Sequence, residues 1–142
     1  MSETIKFQLD GNTVEAQPGE TIWQVAKRHE TVIPHLCFKD APSYRPDGNC
    51  RACMVEIDGE RVLAPSCLRQ PTPDMKVTTD SERAVKARHM VLEMLLADQP
   101  ARAKAHDPES LLWHWIDDAG LTDSGFAARQ APTPDNSHPA MA

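Results

Sequence analysis

The chain has 142 residues, with 21 acidic against 15 basic side chains, a net charge of −6 and no lysine or arginine run, which argues against nucleic acid as a partner. No apolar stretch approaches the roughly 20 residues of a membrane span. The start, Met1-Ser2-Glu3-Thr4-Ile5-Lys6, lacks the apolar core of a secretion signal, so a cytoplasmic location is expected.

Ile5, Phe7 and Leu9 alternate with Lys6 and Gln8, the period of a half-buried strand, and Asp10-Gly11-Asn12 turns the chain into a return strand, Thr13 to Ala16. After Pro18-Gly19, Thr21 and Gln24 have the spacing of a capping box and predict a helix to about His29, with Ile22, Val25 and Ala26 on its buried face. Pro34 closes that segment. From Cys37 to Cys53 periodicity disappears, and Pro42, Pro46 and Gly48 mark a long irregular loop of the kind that compact domains keep for function. Met54 to Ile57 and Arg61 to Pro65 then read as a hairpin around Asp58-Gly59, with Met75 to Thr78 as a final strand. These elements predict an α+β fold of β-grasp type over residues 1–79, a helix packed across a mixed sheet.

A helical appendage is expected over 80–120. Thr79 and Glu82 match a second capping box, opening a helix to about Ala97 with Ala84, Ala87, Val91, Leu92 and Leu95 on one stripe. Asp107-Pro108 supplies a capping acid and a proline for the first helical position of a shorter helix, Glu109 to Ala119, stopped by Gly120. Over 121–142, Gly125, Pro132, Pro134 and Pro139 without apolar period suggest an extended tail or linker.

The chemistry lies in Cys37, Cys50, Cys53 and Cys67. A reducing compartment makes clustered cysteines metal ligands or catalytic groups more often than disulfides. A [2Fe–2S] cluster takes thiolates, two per iron. Cys50 and Cys53, two residues apart, are expected to curl around one iron, leaving Cys37 and Cys67 for the other. Gly48 permits close backbone approach to the inorganic sulfides, the amides of Asn49, Arg51 and Ala52 are candidate donors to those sulfides, and Arg45 and Arg51 are candidate cations raising the potential. Structural zinc ordinarily shows two close cysteine pairs and only one is present. A thioredoxin-like site needs its cysteine pair at a helix start, whereas this pair precedes a strand. A Rieske centre needs two histidines; His35 stands too close to Cys37 to replace a distant ligand and is expected to be a solvated neighbour of the loop. Trp113, His114 and Trp115 suggest a docking face on the short helix. No nucleophilic triad, phosphate loop, dinucleotide fingerprint or paired-carboxylate site is present, so no catalytic residue is assigned.

Pro34-His35-Leu36-Cys37, Gly48-Asn49-Cys50-Arg51-Ala52-Cys53-Met54-Val55-Glu56 and Ala64-Pro65-Ser66-Cys67 resemble the N-terminal [2Fe–2S] domain of three groups. These are the large peripheral subunit of respiratory complex I, the diaphorase subunits of NAD-linked hydrogenases, and the alpha subunit of NAD-dependent molybdenum formate dehydrogenases. Gly19-Glu20-Thr21-Ile22-Trp23-Gln24-Val25-Ala26, Leu96-Ala97-Asp98-Gln99-Pro100 and Ser137-His138-Pro139-Ala140-Met141-Ala142 are most similar to the last. The resemblance implies a ferredoxin-like fold with Cys37, Cys50, Cys53 and Cys67 as ligands. It also implies partners with flavin/NAD-binding and molybdopterin/[4Fe–4S] parts, between which electrons pass. After Cys67 there is no cysteine, so the further cluster site of the complex I and hydrogenase relatives is not expected here. A fragment, a split subunit or a freestanding ferredoxin serving another oxidoreductase all accord with this length, and a zinc-stabilised interaction module is the rival of different class.

Overall fold

The computed structural model describes residues 4–128, 130, 133 and 137. Pro132, Pro134 and Pro139, which mark the expected tail, lie outside them, as do Met1-Ser2-Glu3 and most of the stretch from Ser137 to Ala142.

Strands β1 (Ile5–Leu9) and β2 (Asn12–Ala16) form the first hairpin, with Leu9 opposite Asn12 and only Asp10 and Gly11 between them. Both turn residues have positive φ, 50° and 82°, the conformation whose twist matches a tight hairpin. Alternation buries Phe7 and Leu9 on one strand and Val14 and Ala16 on the other. Helix α1 (Ile22–Arg28) carries the full capping box: Thr21 Oγ1 accepts from the Gln24 amide while the Gln24 side chain accepts from the Thr21 amide. It buries Ile22, Val25 and Ala26, as expected, together with Trp23.

The remaining strands are β3 (Met54–Ile57), β4 (Ala64–Pro65) and β5 (Lys76–Thr78), and the sheet order is β2-β1-β5-β3-β4. The last strand in sequence therefore occupies the centre, parallel to β1 and antiparallel to β3. This is the β-grasp arrangement, with Phe7, Ile22, Val25, Val55 and Val77 fully buried in its core. The return arm of the second hairpin is shorter than expected: Arg61 to Leu63 stay outside the ladder, and only Ala64 and Pro65 pair, opposite Val55 and Met54.

Helix α2 (Glu82–Ala97) packs against β3 and starts away from the expected cap. Ser81, not Thr79, caps it, its hydroxyl accepting from the Ala84 amide at 3.2 Å. Thr79 is engaged elsewhere, since its hydroxyl and amide both donate to the Asp10 carboxylate at 2.7 Å. Of the expected stripe, Ala84 and Leu92 are buried and the rest are half-buried. Helix α3 (Leu111–Asp118) begins at Ser110, later than Asp107-Pro108 suggested; the Asp107 carboxylate instead accepts from the Glu109 amide in the preceding turn. Beyond α3, Ser124 and Gly125 donate to the Glu93 carbonyl and carboxylate at 2.9 and 2.7 Å, so the start of the expected tail lies back on α2. No helix among the described residues is long and apolar enough to cross a membrane.

Candidate metal centre

Between Arg28 and Met54 the chain forms no regular element. Its path depends on residues with positive φ, among them Gly48 at 67° and Arg51 at 60°. Arg51, between Cys50 and Cys53, thus has left-handed backbone. Cys50 meets Cys37, while Cys53, the residue before β3, meets Cys67, which follows β4. The Ser66 amide donates to the Cys53 carbonyl at 3.2 Å, continuing the β3–β4 ladder and bringing Cys67 alongside.

The four thiols therefore form two pairs, Cys37 with Cys50 and Cys53 with Cys67. The expected division placed Cys50 and Cys53 on one iron, whereas in the structure each lies beside a cysteine more distant in sequence.

Backbone donors surround the sulfurs. The amides of Cys37 and Ala52 donate to Cys50 Sγ at 3.5 and 3.4 Å. Burial pushes the Cys37 thiol up, yet hydrogen bonds from the Cys50 amide, the Cys50 thiol and the Asn49 amide bring it below the ordinary value. The amides of Cys37, Asn49, Cys50 and Ala52 thus donate to cysteine sulfur. The Cys53 thiol is lowered to about 6, first by the hydrogen bond from the Cys67 thiol and then, against burial, by the Cys67 amide and Ser66. Cys67 is raised by the same thiol contact, by burial, and by the charges of Cys53, Cys37 and Cys50. One thiol of the buried pair ionises at the other's expense, and every sulfur acts electrostatically on Cys67. Cys53 and Cys67 are 1% and 0% exposed, whereas Cys37 and Cys50 are half-buried.

The donor set fits a sulfide-bridged two-iron core. Two pairs of thiolates match two ligands per iron, and convergent amides match its negative charge. Among the described residues no group of three or more His, Cys, Asp or Glu side chains has the spacing to hold a single metal ion.

Several neighbours differ from expectation. His35 is half-buried, not simply a solvated neighbour: its ring meets Trp23, Trp115 and Phe38 edge-on, with centroids at 4.6, 5.9 and 6.4 Å. Its Nδ1 is buried without a hydrogen-bond partner, and burial lowers its pKa. Trp113 and Trp115 are both 6% exposed, so neither forms a docking face; only His114 of the three points to solvent. Trp115 Nε1 donates to the His35 carbonyl at 2.9 Å. Arg45 and Arg51 lie on the surface, Arg45 beside Asp47 at 3.9 Å, where water screens their charge. The cation on the inner side is Arg88 of α2, which donates to the carbonyls of Met54 and Thr79. No local pattern marked it, since arginine is an ordinary helix residue.

Residues 2–82 match the 2Fe-2S iron-sulfur cluster binding domain family. The chain is 41% identical over 99 residues to NADP-reducing hydrogenase subunit HndD of Solidesulfovibrio fructosivorans, covering 68% of this chain and 17% of that protein. It is 35% identical over 128 residues to a subunit of the NADH-quinone oxidoreductase of Mycobacterium bovis, covering 87% of this chain and 16% of that protein. Among solved structures, a chain of the NAD+-reducing [NiFe]-hydrogenase in its H2-reduced state superposes with a TM-score of 0.76 at 30% identity, over 95% of this chain and 57% of the other. The chain thus spans about a sixth of the length of these curated relatives. With more than half its length within the match and a thiol set suited to the same cofactor, the chain belongs to the 2Fe-2S iron-sulfur cluster binding domain family.

Proposed function

We propose that Cys37, Cys50, Cys53 and Cys67 ligate one [2Fe–2S] cluster and that the chain is a one-electron relay, not an enzyme in itself. The observation that carries this reading is the convergence of four thiols as two adjacent pairs, with backbone amides donating to them. The cluster supplies a redox centre that holds one extra electron, and the protein supplies its surroundings. Cys53 and Cys67, anchored beside the β3–β4 ladder, hold the buried side. Cys37 and Cys50, half-buried on the loop, form the face with the thinner protein shell, where the electron crosses to a neighbouring centre.

The setting proposed is a multi-subunit, cytoplasmic NAD-linked oxidoreductase. Support comes from the relatives, which are subunits of NADH- and NADP-linked enzymes by name. The finer reading is a formate dehydrogenase-like complex, in which the relay lies between molybdopterin-side clusters and a flavin/NAD module. It rests on the similarity of Gly19-Glu20-Thr21-Ile22-Trp23-Gln24-Val25-Ala26 and Leu96-Ala97-Asp98-Gln99-Pro100 to that alpha subunit.

Electron paramagnetic resonance of the dithionite-reduced protein, with iron and sulfide counts, tests the cluster. A signal from one reduced two-iron centre, with two irons and two sulfides per chain, is expected. A colourless chain holding stoichiometric zinc would overturn the reading. Reduction by formate only when formate dehydrogenase partner subunits are added tests the finer assignment.

A further inference from the structure

We propose that Arg88 is a positioning residue that sets the potential of this centre, its charge acting through space on the Cys53–Cys67 side. The proposal rests on the ligand assignment above. Arg88 lies on the buried side of α2, half-buried itself, and its Nη1 donates to the Met54 carbonyl at 2.8 Å and the Thr79 carbonyl at 2.6 Å. Met54 directly follows Cys53, so these bonds hold the guanidinium behind the buried pair of sulfurs. Its charge interacts with the Cys53 thiolate, and the acids facing it are Asp80 and Asp10. An arginine stays cationic in such a place, and partial burial leaves its field less screened than those of the exposed Arg45 and Arg51.

One-electron reduction, with the electron from a partner centre or from dithionite, adds one negative charge beside this cation. The cation favours the reduced form, and removing it lowers the potential. Asp80 works in the opposite sense.

The test is a redox titration of the cluster-loaded chain, followed by electron paramagnetic resonance. Arg88→Met is expected to give a lower midpoint than wild type. Arg88→Lys, which keeps the charge but not the two-carbonyl grip, should lie between them. Arg83→Gln is the control on the same helix, since Arg83 is exposed and paired with Glu56 at 2.8 Å; its midpoint should not move. A midpoint unchanged in Arg88→Met with full iron content, or equal shifts in Arg88→Met and Arg88→Lys, would overturn the proposal. Should Arg88→Met fail to hold a cluster, Arg88→Gln, which removes the charge but keeps an amide donor for the carbonyls, decides: a lowered midpoint at full iron content supports the proposal and an unchanged one overturns it. A wild-type chain without a two-iron signal would instead overturn the ligand assignment, and the proposal with it.

Discussion

The indole Nε1 of Trp115 donates to the backbone carbonyl of His35 at 2.9 Å, joining the last helix to a loop residue two positions before Cys37. The two residues are eighty positions apart, and their rings also meet edge-on at 5.9 Å. The appended helix is therefore a brace on the cysteine loop.

Trp115→Phe keeps an aromatic ring but leaves that carbonyl without its donor, which is expected to cost about 1–2 kcal/mol of stability. Denaturant unfolding measures this, and a chelator assay should show faster iron loss than in wild type. Equal iron-release rates would separate the helix from any role in the loop.

Gly48 has φ of 67°, and a Cβ there would lie 3.2 Å from Leu68 Cδ2. Gly48→Ala is expected to destabilise the loop by about 1–2 kcal/mol for the left-handed backbone, plus the clash. Adding Leu68→Ala should relieve the clash and leave the backbone part, so thermal unfolding of the double variant should show a smaller loss than the two single losses combined. Additivity of the two single effects would refute the contact.

The sulfur pairing predicts which ligand substitutions act on the same iron. Cys53→Ser and Cys67→Ser should perturb one Mössbauer site of the loaded protein, and Cys37→Ser and Cys50→Ser the other. Cys53→Ser should also lose much of its cluster stability and shift the potential. If Cys50→Ser and Cys53→Ser altered the same site, the pairing would be wrong.

Glu20 accepts from Arg28 Nε and Nη2 at 3.1 and 2.9 Å, and this hydrogen-bonded pair holds its carboxyl below the ordinary range. A carboxyl lowered in the folded state stabilises above its unfolded pKa and loses that contribution as pH falls through its folded pKa. Glu20→Gln should thus be about 0.5–1 kcal/mol less stable than wild type at neutral pH, discounted for the exposure of Arg28. The two stability curves should converge as the pH falls below about 4. A difference that persists in acid would point to packing instead of charge.

Much of the fold was legible because its signals are local. Alternation at Ile5, Phe7 and Leu9, the turn at Asp10-Gly11 and the capping box at Thr21 and Gln24 each concern residues within one element, and the structure has each as the type its local pattern predicts. The four cysteines read as one candidate ligand set because irregular chain, glycine and proline around a C-x-x-C pair leave few other uses. Errors fell where a residue had a distant competitor. Thr79 has the local spacing of a cap, but the Asp10 carboxylate claims its hydroxyl. Trp113 and Trp115 have the composition of a docking face, but the packing of α3 against the rest of the chain buries them.

The sequence alone determined the elements and which four thiols are available, since period, turn chemistry and ligand type are properties of neighbouring residues. Tertiary structure alone decided that β5 enters the middle of the sheet, that Cys50 turns to Cys37 and Cys53 to Cys67, and that Arg88 reaches the start of β3 and Trp115 the loop. Those outcomes depend on backbone hydrogen bonds and burial between segments far apart in the chain, whose free energy exists only once the segments are packed together.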